Sequence, residues 1–218
     1  MIKAVIFDMD GLLIDTEPYW QATERKVFGE LGINITEKMQ HETFGLRSDE
    51  QIRHYYELQP WDGPSHDDIE RRYNEIMLDY FNEEAELMEG AMHALDFFSK
   101  KGLSMALASS SDMALINAFL DRFRLHHYFK EVYSAEFETH GKPHPGVYLE
   151  TARRLNTSSA KCLALEDSFH GLIAAKAARM KTITVPAEGD ARFSASDLVL
   201  DSLLQINDDT FNLINSIP

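Results

Sequence analysis

The chain is short of three things, and each shortage removes a class of function. It has one cysteine, Cys162, in 218 residues. No disulfide can therefore form within the chain and no thiolate metal cluster can be built, which fits a reducing compartment such as the cytosol. Positive charge is scarce too: 21 Lys and Arg against 36 Asp and Glu leave a formal net charge of −15. Phosphate backbones are met by clustered basic residues, so nucleic acid is not an expected partner. An anionic substrate would need the few cations, or a metal, gathered in one place. Finally, no apolar run approaches the ~18 residues of a membrane span, and no charged segment precedes the first strand, so the expectation is a soluble, unexported protein.

What is present is a patterned chain with 44% hydrophobic residues, enough for one good core and a smaller appended unit. Residues 2–8 read as a strand. From Thr16 to about Glu86 helical periodicity takes over: "YWQATERKVFGELG" sets Trp20, Val27, Phe28 and Leu31 on one face and ends at Gly32. Two further helices have N-cap candidates in Ser48 and Ser65, with the turn-rich "QPWDGPS" between them. After Gly90 strands alternate with helices: "LSMALASSS", "EVYSA", "KCLALEDS", "KTITVP" and "DLVLDS" against "AMHALDFFSKKG", "DMALINAFLDRF", "PGVYLETARRLN" and "HGLIAAKAARM". That alternation implies a parallel sheet with helices on both faces. The expected fold is α/β, a Rossmann-like doubly wound core of residues 1–14 and 87–218. Residues 15–86 form an inserted helical cap over the carboxyl ends of the strands, where open α/β sheets bind ligands.

Polar groups recur where the apolar strands stop. "VIFDMDGLL" ends on Asp8 and Asp10, which alternation along a strand puts on one side, "MALA" ends on Ser109 and Ser110, and "CLAL" ends on Glu166 and Asp167. In a parallel sheet these ends share an edge, so the acids converge and raise one another's pKa unless a cation sits among them. Lys142, in the Pro-flanked "GKPHP", is a candidate for part of that positive charge. Carboxylates from separate strands are hard oxygen ligands of the kind Mg²⁺ prefers alongside water and a substrate phosphate. The nine histidines are scattered, without the spacing of a metal site.

"DMDGLL", "ALASSS", "GKPHP" and "LEDSFHG", in that order, resemble the four motifs of the haloacid dehalogenase-like phosphohydrolases, in the branch with a helical cap after the first motif. By that resemblance Asp8 is the nucleophile that forms an aspartyl phosphate, and Asp10 is the general acid and then the base. Asp8, the Asp10 carbonyl and Asp167 would hold Mg²⁺, with Glu166 beside the ion or in its shell. Ser109, Ser110 and Lys142 would bind substrate. Gly11 would let the turn pass close, offering the backbone N–H groups of Met9 and Asp10 to phosphate.

The second acid of the first motif separates phosphate chemistry from dehalogenation. Sugar phosphomutases of the branch are the nearer rival, but those carry a histidine on the first cap helix where this chain has Trp20. "QPWDGPS" and the motif forms resemble bacterial sugar phosphatases acting on hexose phosphates such as 2-deoxyglucose 6-phosphate; other small phosphomonoesters, such as phosphoglycolate, are the remaining alternative. Glu17 and Arg47 are the cap-side candidates for substrate contact, while Trp20 and Trp61 would pack on a sugar face or on each other. The expected partner is a small phosphorylated metabolite, and a monomer is the default.

Overall fold

The computed structural model describes residues 1–187 and 189–217. Six parallel strands form one sheet in the order β3-β2-β1-β4-β5-β6: β1 Ala4–Phe7, β2 Ser104–Ser109, β3 Glu131–Ser134, β4 Cys162–Glu166, β5 Lys181–Thr184 and β6 Leu198–Val199. The chain first builds outward from β1 through β2 to β3, then restarts at β4 on the other side of β1 and builds the opposite way. The crevice at this reversal, beyond the carboxyl ends of β1 and β4, is where a doubly wound sheet binds its ligand.

The two faces of the sheet are unlike. On β1, Val5 and Phe7 point into a cluster of large side chains with Leu107, Leu165, Phe98 and Phe119, beneath helices α5 (Ala91–Lys100) and α6 (Met113–Phe123). Ala4 and Ile6 point the other way, into an alanine-rich layer with Ala106, Ala108, Ala164 and Cys162. Small residues let the backbones of α7 (Gly146–Arg154) and α8 (Phe169–Ala177) approach closely. Asp8 continues the ladder through its N–H to the Leu165 carbonyl, 3.0 Å. As the next even residue it is directed to the α7 side.

Four helices lie between β1 and α5: α1 Glu17–Glu30, α2 Glu37–Thr43, α3 Ser48–Leu58 and α4 His66–Glu83. They enclose a core of their own around Phe28, Ile52, Tyr55, Ile69 and Tyr73. The two crossings into this insertion run side by side: Asp15 N–H donates to the Glu86 carbonyl and Met88 N–H to the Leu13 carbonyl, at 2.9 and 3.0 Å.

Ser65 caps α4 in a capping box with Asp68. Ser48 does not cap α3; Arg47 holds that position and the Ser48 hydroxyl donates instead to Glu70, 2.8 Å. Two helices lie beyond the periodicity reading, α2 and the C-terminal α9 (Asp208–Ser216), and the cap residues Thr36 and Asn207 are the signals that mark them.

Phe28 is fully buried, with Tyr55 edge-on at 4.9 Å and Tyr73 at 5.9 Å between ring centroids. Phe28→Ala is expected to cost about 3–5 kcal/mol of stability in urea unfolding. A loss below about 1 kcal/mol would mean that the cavity collapses freely and the helical core is loosely packed.

Candidate active site

The carboxyl ends of β1, β2 and β4 meet the loop before α7. There Lys142, 1% exposed, places its Nζ 2.5 Å from Asp8 Oδ1 and 2.6 Å from Glu166 Oε1. Burial alone would pull the lysine's pKa down, but the two carboxylates overrule it and hold Lys142 protonated. Burial pushes Asp8 up to about 8, with Lys142 drawing it down and Glu166 and Asp10 driving it up. Asp167 is also pushed well above the carboxylate range by burial and then by Asp8. One lysine thus faces more buried acid than it neutralises.

Asp8, Glu166 and Asp167 each offer an oxygen within 4.8 Å of the others. Asp167 Oδ1 is buried without a hydrogen-bond partner among the described residues, the state of an acceptor left for a ligand. Gly11, at φ +72°, makes room for this carboxylate, since a Cβ there would lie 2.0 Å from Asp167 Oδ2. Three hard oxygens in a buried place with excess negative charge suit a small divalent cation.

Glu166 differs from the other two. Its oxygens already accept from Lys142, Tyr148, the Ser168 hydroxyl and the Ser168 N–H. Gly171 is required beside it, because a Cβ there would lie 1.9 Å from Oε1. These bonds make Glu166 an anchor for Lys142, with Asp8 and Asp167 left as the freer oxygen donors.

The Asp10 carboxylate is held by four donors. Thr16 and Trp20 reach Oδ1 at 2.9 and 3.2 Å, and Ser109 and Ser111 reach Oδ2 at 3.1 and 2.8 Å. The indole of Trp20 therefore faces the second aspartate and packs near Tyr73, 6.3 Å between centroids, and not on Trp61. Trp61 lies against Phe28 and Tyr56, away from the cavity over the aspartates. Thr16, Trp20 and Ser111 are site residues to which the motif reading gave no role at Asp10, and Ser109 was expected on the substrate, although Ser111 is the last residue of the serine run in "ALASSS".

The cavity over these groups is lined by Asp8, Asp10, Lys142 and Asp167 from below and by residues of the helical insertion from above. Ser110 lines it and donates to the Gly45 carbonyl, 3.1 Å; Ser109 is fully buried behind Asp10. Glu17 lines it, its pKa raised by burial, with Gln21 donating to it at 2.8 Å. Arg47 does not line it. All three nitrogens of its guanidinium are engaged, with Nε and Nη2 on Asp49 at 2.5 and 2.9 Å and Nη1 on the Ala135 and Glu138 carbonyls at 2.7 and 2.8 Å. Against the expectation of substrate contact, Arg47 straps the insertion to the segment after β3. Sequence spacing carries no sign of those carbonyl partners, which lie about 90 positions away.

Residues 5–185 match the family model described as haloacid dehalogenase-like hydrolase, and the chain belongs to that family. It is 40% identical over 209 residues to hexitol phosphatase B of Escherichia coli (strain K12), covering 94% of both chains. It is 33% identical over 183 residues to the phosphorylated carbohydrates phosphatase of Thermotoga maritima, covering 84% of each. Among solved structures, beta-phosphoglucomutase from Clostridium difficile superposes with a TM-score of 0.89 at 25% identity, covering 99% of this chain and 98% of that one.

Lys142→Met leaves buried carboxylates with no cation. At neutral pH and without added metal it is expected to cost about 3–5 kcal/mol. In the variant the native carboxyls bind protons more tightly than the unfolded ones, whose pKa lies near ~4. The deficit should therefore narrow as pH falls toward ~5. Thermal melting across that range in chelator checks it, and a pH-independent deficit would count against the charge argument.

Proposed function

We propose that the chain is a Mg²⁺-dependent phosphatase of small phosphorylated sugars or sugar alcohols, acting through an aspartyl phosphate. The observation that carries this reading is the meeting of Asp8, Asp10, Lys142 and Asp167 at the strand-order reversal, under a cavity roofed by the insertion. The substrate class rests on the relatives, which are named for hexitol phosphates and phosphorylated carbohydrates. Residues 15–86 act as the cap in this reading.

Asp8 and Asp167 would hold the ion with the Asp10 carbonyl. When bound, Mg²⁺ supplies positive charge that lets an anionic phosphoryl group approach a carboxylate. Lys142 adds a fixed charge beside the attacking oxygen, and Glu166 and Tyr148 keep its ammonium in place. An Asp8 oxygen bonds to phosphorus while the bond from phosphorus to the alcohol oxygen breaks, and Asp10 in its acid form gives that oxygen its proton. Asp10, now a carboxylate, then takes a proton from water as the water oxygen attacks phosphorus and frees Asp8. The hydroxyls of Thr16, Ser109 and Ser111 and the Trp20 indole fix where Asp10 points between these steps.

A sugar phosphomutase is the second reading, favoured by the likeness to beta-phosphoglucomutase. Trp20 stands against it. Indole N–H donates only, so at this position it steers Asp10 without exchanging protons with it.

Asp8→Asn should lower phosphate release from hexose and hexitol phosphates by at least ~10³-fold with the fold retained, and Asp10→Asn by about 10²–10⁴-fold. Release at the wild-type rate from Asp8→Asn would remove the nucleophile. Because Asp8 and Asp167 hold protons tightly without metal, Mg²⁺ has to displace them. It should raise the melting temperature more above pH 8 than well below it, and an equal rise at both would place the ion elsewhere.

A further inference from the structure

The cavity over Asp8 and Asp10 has two walls of different chemistry. The core wall carries Lys142, and among the described lining residues no other Lys, Arg or His is present. The wall contributed by the insertion includes Glu17, Glu24, Gln40, Thr43, Gln51 and Asn74. Glu24 is its centre: it sits on α1, is 3% exposed, and is gripped from α2 and α3. Gln51 Nε2 donates to Glu24 Oε1 at 2.7 Å, and Gln40 Nε2 donates to Oε2 at 2.7 Å with the Tyr55 hydroxyl at 3.3 Å.

The amides are oriented, not free to turn. Gln40 Oε1 accepts from Arg25 at 2.9 Å, which fixes its NH₂ toward Glu24. Gln51 Nε2 also donates to Thr43 Oγ1, 3.1 Å, and Thr43 shares a 2.8 Å bond with the Tyr55 hydroxyl. Three helices are thus spent on presenting one carboxylate. Burying an acid for stability alone is a poor use of that position, since apolar side chains of similar volume do as well or better.

The acceptors left over define the ligand. A carboxylate has about four acceptor sites, and Glu24 has three donors. Gln51 Oε1 takes no hydrogen bond from the described residues, and Gln51 is 8% exposed and lines the cavity. Glu17 keeps one oxygen free of Gln21. A wall rich in acceptors and acids calls for a ligand rich in donors and without negative charge, which describes hydroxyl groups and not a second phosphate.

We propose that Glu24, with Gln40 and Gln51, forms a hydroxyl-reading subsite that binds the uncharged polyhydroxyl end of a phosphomonoester and rejects a bisphosphate. This rests on the phosphatase reading above and goes further, because it assigns the choice of leaving group to named residues. It also gives a charge-based reason why an intermediate carrying two phosphates would fit badly here. Lys142, the one basic side chain among the described lining residues, is committed to the transferring end.

The test compares kcat/KM with Mg²⁺ for sorbitol 6-phosphate, n-hexyl phosphate and hexitol 1,6-bisphosphate, in wild type, Glu24→Gln and Gln51→Met. Wild type should prefer sorbitol 6-phosphate over n-hexyl phosphate by ~100-fold or more, and also over the bisphosphate. Each variant should shrink the first preference by about tenfold or more, and Glu24→Gln alone should narrow the rejection of the bisphosphate. Variants that slow all three esters by one common factor would reduce Glu24 to a structural acid and overturn the proposal. Wild type needs no variant to fold: equal turnover of the hydroxylated and hydroxyl-free esters, or of the bisphosphate, overturns the subsite while leaving the phosphatase reading intact. Absence of phosphate release from every ester would instead overturn the phosphatase reading itself, and the subsite with it.

Discussion

A buried ammonium between two buried carboxylates organises the reactive end of this molecule. Lys142 reaches Asp8 at the end of one strand and Glu166 at the end of its neighbour, and so adds a side-chain tie between β1 and β4 beside the last ladder bond, Asp8 N–H to the Leu165 carbonyl. Each charge would be costly alone in that place. Together they still fall short of neutrality, because Asp167 and Asp10 lie beside them. The deficit is useful. On the phosphatase reading it leaves a place where a divalent cation would compete with the protons of the carboxyl groups, and where an incoming phosphoryl group would meet the Lys142 ammonium at a carboxylate oxygen.

The surrounding fold is shaped to allow this crowding. An alanine-rich layer on one face brings α7 and α8 close, and Gly11 and Gly171 remove the Cβ atoms that would collide with Asp167 and Glu166. The large side chains are segregated to the other face, under α5 and α6. Polar atoms and close backbone approach thus share one side of the sheet, and bulk fills the other.

Much of the core was legible in the sequence because its signals are local. A strand that stops on acids, a serine run after the next strand and a Pro-flanked lysine each stand in a short window, and the parallel topology brings their ends together. The six strands and most helices follow from periodicity in the same way. What was not legible depends on partners far apart in the chain. The Arg47 guanidinium finds carbonyls after β3, the Trp20 indole turns to Asp10, and Glu166 fills its oxygens with Tyr148 and Ser168. Short elements were missed for a related reason: α2, with 7 residues, is too brief for a 3.6-residue period to declare itself. The Glu24 network combines both difficulties, since a Glu in mid-helix followed by two glutamines on other helices reads as a solvated face.

The paired crossings at Leu13–Asp15 and Glu86–Met88 have a consequence for how such a protein can change over time. Because the two crossings are hydrogen-bonded to each other, the whole insertion closes on itself like a loop whose ends already touch. Closure entropy grows only with the logarithm of loop length, so lengthening or trimming the helices costs the sheet little. What ties the insertion to the strand end beyond these crossings is a short set of side chains, Thr16 and Trp20 on Asp10 and Arg47 on the carbonyls after β3. One sheet can therefore carry helical insertions of different length, provided the few residues that grip Asp10 and the segment after β3 are kept.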